Sequence, residues 1–150
     1  MPKKAEKPKK IAKTRPKSRK KDHAYATGGR KTASSQIRLF KGKGETMVNG
    51  KPIGQYFPGE IAKIIYTEPF LATETVGQYY ATIKVRGSGK NGQLRAVVHG
   101  LARALDKENR ELYRSALKQR DLLTRDARMK ERRKPGYAQK ARAKKQSPKR

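Results

Sequence analysis

The residue order of this chain predicts an α+β fold: a two-layer sandwich of a small mixed sheet with helices on one face, flanked by disordered basic tails. Three features carry that expectation. Segments 32–40 and 79–86 alternate apolar and polar residues with the period of a strand. Segments 92–105 and 110–118 repeat apolar residues with the period of a helix. The two ends hold charge and almost no large apolar side chains, so they bury too little surface to offset the entropy of ordering. Strands followed by helices gathered on one side give the two-layer arrangement.

The first strand is read from Thr32 to Phe40, where Ala33, Ser35, Ile37 and Leu39 alternate with Gln36 and Arg38. Gly28-Gly29-Arg30-Lys31-Thr32 precedes it as a basic, glycine-hinged entry. After the turn Lys41-Gly42-Lys43-Gly44 comes a short strand, Glu45 to Val48, closed by the tight-turn pair Asn49-Gly50. Pro58-Gly59-Glu60 opens a short helix carrying Ile61, Ile64 and Ile65, which Pro69 stops from extending much further. In Tyr79 to Arg86, Tyr79, Ala81, Ile83 and Val85 form one face and Tyr80, Thr82, Lys84 and Arg86 the other. From Gly92 onward Leu94, Val97, Val98, Leu101 and Leu105 form a buried stripe, with Arg95, His99 and Arg103 one per turn on the far side. Asp106 to Asn109 then leads into a helix from Arg110 to Lys118, with Leu112, Tyr113, Ala116 and Leu117 as its apolar face.

Charge divides the chain more sharply than hydropathy does. Forty Lys+Arg stand against twelve Asp+Glu, a formal net charge of +28. Residues 1–21 hold eleven bases and one acid, 22–127 eighteen and ten, and 128–150 eleven and one. The expected organisation is a basic N-terminal extension over 1–24, a folded body over 25–127 and an extended basic tail over 128–150. So large an excess of one sign calls for a polyanion as partner. Extended, residues 134–150 span roughly 55 Å, enough to thread between nucleic-acid helices. There is no cysteine, so disulfides and thiolate metal sites are excluded, and His23 and His99 are too far apart for a local metal motif. No cofactor is expected. No apolar run has the length of a membrane span or secretory signal, and Pro2, Pro8 and Pro16 break the amphipathic helix of an organelle import sequence. The expected location is therefore cytoplasmic rather than membrane or organelle.

Gly87-Ser88-Gly89-Lys90-Asn91-Gly92 fits G-x-G-x-x-G between a strand and a helix. No strand follows that helix, so the βαβ unit of a dinucleotide fold is missing. A phosphate-binding P-loop fails too, because Asn91 follows Lys90 and Lys84 stands at the first glycine position. What the glycines permit is close approach of backbone to a phosphate at a helix start. His99 has no Asp, Cys or Ser arranged near it and reads as a surface or stacking residue rather than a catalyst. Asp121 and Asp126 lie beside Arg120, Arg125 and Arg128, where charge pairing accounts for them. A DNA-compacting protein would share the charge, but it needs a dimer surface or a duplex-reading element, and none is evident. An enzyme acting on RNA would need an acid/base pair, and none emerges.

Four blocks of sequence resemble small-subunit ribosomal protein nine of bacterial type, over about residues 25–150. They are Thr27-Gly28-Gly29-Arg30-Lys31-Thr32-Ala33; Val48-Asn49-Gly50-Lys51-Pro52 with Tyr56-Phe57-Pro58; the loop Val85 to Gly92 continuing through His99-Gly100-Leu101-Ala102-Arg103-Ala104-Leu105; and Leu122-Leu123-Thr124-Arg125-Asp126-Ala127-Arg128 leading to Glu131-Arg132-Arg133-Lys134. The resemblance implies a ribosomal two-layer α+β fold on 16S-type rRNA of the subunit head, among neighbouring head proteins. It also implies a C-terminal tail that reaches the peptidyl-site tRNA through Lys149 and Arg150, by charge-assisted bonds to phosphates that read no sequence. The tip departs from the family: Gln146-Ser147-Pro148-Lys149-Arg150 stands where an aromatic followed by Ser-Lys-Arg is usual. Residues 1–24 extend beyond the usual bacterial start. The cations expected on rRNA are Arg30, Lys31, Arg38, Arg86, Lys90, Arg95, Arg103, Arg125, Arg128, Arg132, Arg133 and Lys134. No membrane and no small-molecule substrate is expected.

Overall fold

A computed structural model describes residues 23–137 and 141–142. The expected N-terminal extension, apart from its last two residues, and the expected tRNA contacts Lys149 and Arg150 lie outside the described residues. Among the described residues nine elements follow in order: β1 Ala24–Arg30, β2 Ala33–Lys41, β3 Met47–Val48, β4 Lys51–Pro52, α1 Ile53–Tyr56, α2 Glu60–Ala72, β5 Tyr79–Arg86, α3 Lys90–Glu108 and α4 Arg110–Gln119. One mixed sheet runs β1-β2-β5-β3-β4, antiparallel except where β3 lies parallel to β5. The α+β two-layer arrangement read from the sequence is the one observed.

The alternation of β2 and β5 sets the layers. Ala33, Ser35, Ile37 and Leu39 of β2 and Ala81, Ile83 and Val85 of β5 are buried, while Ser34, Gln36, Arg38, Thr82, Lys84 and Arg86 are exposed on the opposite face. Against the buried face lies α3, with Val97, Leu101, Ala104 and Leu105 at 0% exposure, and α2 and α4 pack on α3. Each of these larger aliphatic side chains contributes about 1.5–3 kcal/mol by leaving water. The remaining polar group in this layer, Ser35, is satisfied: its Oγ donates to the Ala96 carbonyl at 2.7 Å.

The sequence reading missed β1. Residues 24–30 form a full strand, paired with β2 from Ala24↔Leu39 to Arg30↔Ala33, and not merely a hinged entry. Two adjacent glycines conceal the alternation, but Gly28 is where α3 comes closest. A Cβ on Gly28 would stand less than 3.0 Å from the Ala96 carbonyl oxygen and from the Gly100 nitrogen and Cα. A Cβ on Gly100 would meet Ile37 Cδ1 at 2.6 Å and Ser35 Oγ at 2.9 Å. The strand and the helix touch backbone to backbone at this pair.

The smaller differences have local causes. Helix α2 continues three residues past Pro69, to Ala72; the proline is buried, and Thr73 Oγ1 donates back to its carbonyl at 3.0 Å. Helix α3 begins at Lys90 and runs to Glu108, taking in most of the expected linker, and Asn109 alone turns the chain, its side chain accepting from the Leu112 amide at 3.3 Å as the N-cap of α4. Asn49, read as a turn residue, also extends the parallel pairing of β3 and β5. Its Oδ1 accepts from the Val85 amide and its Nδ2 donates to the Val85 carbonyl, both at 2.9 Å. No helix among the described residues is long and apolar enough to cross a membrane.

Candidate nucleic-acid interface

The uncovered face of the sheet is built from the even-numbered residues of β2 and β5 and the odd-numbered ones of β1. In register, Tyr25 stands opposite Arg38, and Arg38 opposite Thr82; Gln36 lies between Thr27 and Lys84; Ser34 pairs with Arg86. Not one of these outward residues is a carboxylate, so Arg38, Lys84 and Arg86 present uncompensated charge across adjacent strands. Tyr25, 39% exposed, sets an aromatic ring next to them. Ser34, Gln36, Thr82, Lys84 and Arg86, with Asn49 at the edge, line a shallow hollow of about 380 Å³. Further along, Phe40 stacks on Tyr80 with centroids 5.2 Å apart, and His23 lies 5.3 Å from Phe40. Cations track phosphates and aromatic faces accept bases, and both occur here on a rigid support.

A second group gathers where the β1–β2 turn meets the segment after α4. Arg30 points inward: it pairs with Asp126 at 3.0 Å and donates to the Arg128 carbonyl at 2.6 Å. Arg125 donates to the Lys31 carbonyl at 3.2 Å, and Arg128 also grips the Asp126 carboxylate, at 2.6 Å. Hydrogen bonds from Arg128, reinforced by Arg30, hold the Asp126 carboxyl far below the usual carboxylate range, so it stays ionised and serves as a tether. Arg30, Arg95, Arg120 and Arg128 line a concavity of about 490 Å³, partly offset by Glu68, Asp121 and Asp126. Lys31 stands exposed at the turn, and Arg132, Arg133 and Lys134 are exposed on the irregular segment beyond.

The α3 face expected to show Arg95, His99 and Arg103 to solvent does something different at two of those positions. β1 is an edge strand, and its free groups are occupied at four-residue intervals along α3. His99 Nδ1 accepts from the Gly29 amide at 3.1 Å, Arg103 donates to the Thr27 carbonyl at 2.6 Å, and Lys107 donates to the Tyr25 carbonyl at 2.9 Å. His99 is therefore half-buried between Gly29 and the Leu123 carbonyl, 3.1 Å from its Nε2, rather than a surface or stacking residue. The stripe was misread because its partner strand had not been recognised. Arg95 remains exposed. Lys90, at the start of α3, sits 3.6 Å above the Tyr56 ring, whose hydroxyl donates to Gln93 Oε1 at 2.9 Å; Gln93 Nε2 in turn donates to the Gly87 carbonyl at 3.1 Å. The glycine loop is thus fixed against α1.

His99 gives a pH signature. Burial pushes its imidazole below the ordinary value, and the charges of Arg103 and Arg125 push the same way. In the unfolded chain the ring takes up its proton near pH 6.5, whereas in the folded chain it resists, so the unfolded state binds more protons as pH falls. Stability is fully present above about pH 6.5 and declines below it, levelling off once the folded ring also titrates. The expected urea midpoint of the full chain is lower at pH 5.5 than at pH 7.5. In His99→Gln, whose amide can both accept and donate, the difference shrinks; an unchanged difference would remove His99 as its source.

Of the expected cations, the sheet face brings together Arg38 and Arg86, and the turn region brings together Arg30, Lys31, Arg125 and Arg128. Lys84 and Tyr25 were missed as members of the site. Lys84 was legible from its alternation with Arg86, and Tyr25 only once β1 is seen as a strand. Among the described residues, the charged surface thus has two parts: a cationic sheet face without carboxylates, and an arginine-rich end whose carboxylates serve as internal tethers.

The chain belongs to the ribosomal protein S9/S16 family, whose model it matches over residues 28–150. It is 48% identical over 116 residues to small ribosomal subunit protein uS9 of Maridesulfovibrio salexigens, across 77% of this chain and 88% of that relative. As a member of that family it is a structural protein of the ribosome and not an enzyme.

Proposed function

We propose that this chain is a structural constituent of the small ribosomal subunit that binds 16S-type rRNA of the subunit head, and that its C-terminal tail reaches the peptidyl-site tRNA. The observation that carries the rRNA reading is the open sheet face, where Arg38, Lys84 and Arg86 stand beside Tyr25 with no carboxylate partner among the described residues. Arg30, Arg103 and Arg125 act differently from the other expected cations: part of each guanidinium is already bonded to the chain's own backbone, so they hold the RNA-facing surface in shape. Lys31, Lys90, Arg95, Arg132, Arg133 and Lys134 remain exposed for phosphate contact, and Arg128, though exposed, has its guanidinium on Asp126. The body over 25–127 grips the RNA, and the basic segment over 128–150 extends from it. Ribosomes of the cytoplasm are the proposed location.

The tRNA contact rests on Lys149 and Arg150. Deleting both is expected to leave subunit assembly intact and to weaken tRNA binding at the peptidyl site by roughly tenfold to thirtyfold at physiological salt, from about 0.7 to 0.9 in salt slope per lost phosphate contact. Unchanged tRNA affinity across several salt concentrations would contradict the contact. Co-sedimentation with the small subunit that survives DNase and is abolished by RNase is the matching result for the rRNA reading; persistence on DNA after RNase would reverse it.

A further inference from the structure

Around helix α2 acids outnumber bases. Between Ile53 and Gln78 stand Glu60, Glu68 and Glu74 against the single base Lys63, in a chain whose total is +28. The same helix shows large apolar side chains to solvent: Ile61 is 76% exposed, Ile64 66% and Leu71 54%. At 100° per residue these three fall within an arc of about 80°, with Glu68 inside it and Glu60 at its border. The opposite side of the helix, Ala62, Ile65, Tyr66 and Phe70, packs on the core. The exposed residues are therefore not a core face left partly open. They form a second apolar stripe on a helix whose core contacts are already made.

On α2 itself Glu60 and Glu68 stand against Lys63, which disfavours phosphate along the stripe, while Glu68 also borders the concavity lined by Arg30, Arg95, Arg120 and Arg128. A grouped set of exposed aliphatic residues marks an interaction surface. We infer that the outer face of α2 docks a neighbouring protein of the ribosome, through a segment that offers an apolar side chain flanked by lysine or arginine. Ile61, Ile64 and Leu71 supply the apolar centre of such a contact, and Glu60 and Glu68 the charged surround that selects a cationic partner. This assignment rests on the reading of the chain as a ribosomal component. It divides the surface into an RNA side, the open sheet, and a protein side, α2.

Photocrosslinking of the full chain in assembled small subunits tests it, with a diazirine-bearing leucine analogue at position 64. The expected product is one protein, joined at a segment where an apolar residue sits among Lys or Arg, with a yield that falls at least tenfold when Ile61→Ser and Leu71→Ser are added. Both of those side chains are exposed, so the fold is retained. Products with rRNA, with a second copy of the chain, with residues 1–22 of the same chain or with an acidic segment would overturn the inference, and so would no product at all. The same probe at position 38 is expected to join rRNA. Failure there, with the protein product intact at position 64, would refute the RNA reading of the sheet and leave the α2 docking face standing.

Discussion

Replacing Gly28 by alanine is expected to break the contact between β1 and α3, and replacing it by valine to leave no stable domain. The new Cβ would press on the Ala96 carbonyl oxygen and on the backbone of Gly100, and neither is the far end of a flexible side chain that can swing away. Ordinary overpacking costs about 1–3 kcal/mol because side chains and backbone give a little. Here the helix as a whole must retreat from the strand. That retreat also stretches the Ser35–Ala96 bond and the three bonds from His99, Arg103 and Lys107 to the edge of β1. With a total stability of about 5–15 kcal/mol in domains of this kind, a loss well above 3 kcal/mol leaves little. Gly100→Ala is expected to follow the same course, since its Cβ meets Ile37 and Ser35 in the centre of the core. Gly29→Ala is the control: its Cβ would lie 3.2 Å from the Arg125 side chain, which can shift, and the expected loss is small. Urea unfolding of the full chain followed by circular dichroism measures all three. Equal midpoints for Gly28→Ala and Gly29→Ala would contradict the close crossing.

The second large effect is on binding. Arg38→Ala, Lys84→Ala and Arg86→Ala together are expected to weaken affinity for small-subunit RNA by roughly 10²-fold at 0.15 M salt, and to reduce the slope of log K against log salt by about 2–3, one phosphate contact per cation. The three side chains are exposed and make no hydrogen bond or ion pair among the described residues, so the unfolding midpoint should stay where it is. Arg30→Ala is expected to behave in the opposite sense. It removes one of the two arginine partners of Asp126 and the donor to the Arg128 carbonyl, loosening the segment after α4, and its effect on RNA affinity should be the smaller one. A triple variant that binds RNA with unchanged affinity and slope would move the interface off the sheet face.

These two expectations mark where the sequence was readable. Period-two alternation over β2 and β5 placed Ile37, Leu39, Ile83 and Val85 inward and Arg38 and Arg86 outward, because a strand with one buried face writes that pattern directly. The spacing of Leu94, Val97, Leu101 and Leu105 placed α3 for the same reason. β1 was not legible. Its inward positions are Ala26 and Gly28, too small to signal a core face, and Gly28 is small because the helix backbone occupies the space a side chain would need. Missing that strand carried a second error with it: Arg95, His99 and Arg103 look like a solvated basic stripe until the edge that His99 and Arg103 cap, together with Lys107, is in view. The isoleucines of α2 marked a helix but not its inward side. Ile65 packs on the core while Ile61 and Ile64 face solvent, a division that neither charge nor spacing announces.

The most direct test of the account is the reactivity of Lys84 toward an amine-modifying reagent, followed by mass spectrometry, in the free chain and in assembled small subunits. The account predicts that Lys84 is reactive when free, protected in the subunit, and reactive again after RNase digestion. A Lys84 that stays as reactive in the intact subunit as in the free chain would contradict the claim that RNA covers the open face of the sheet.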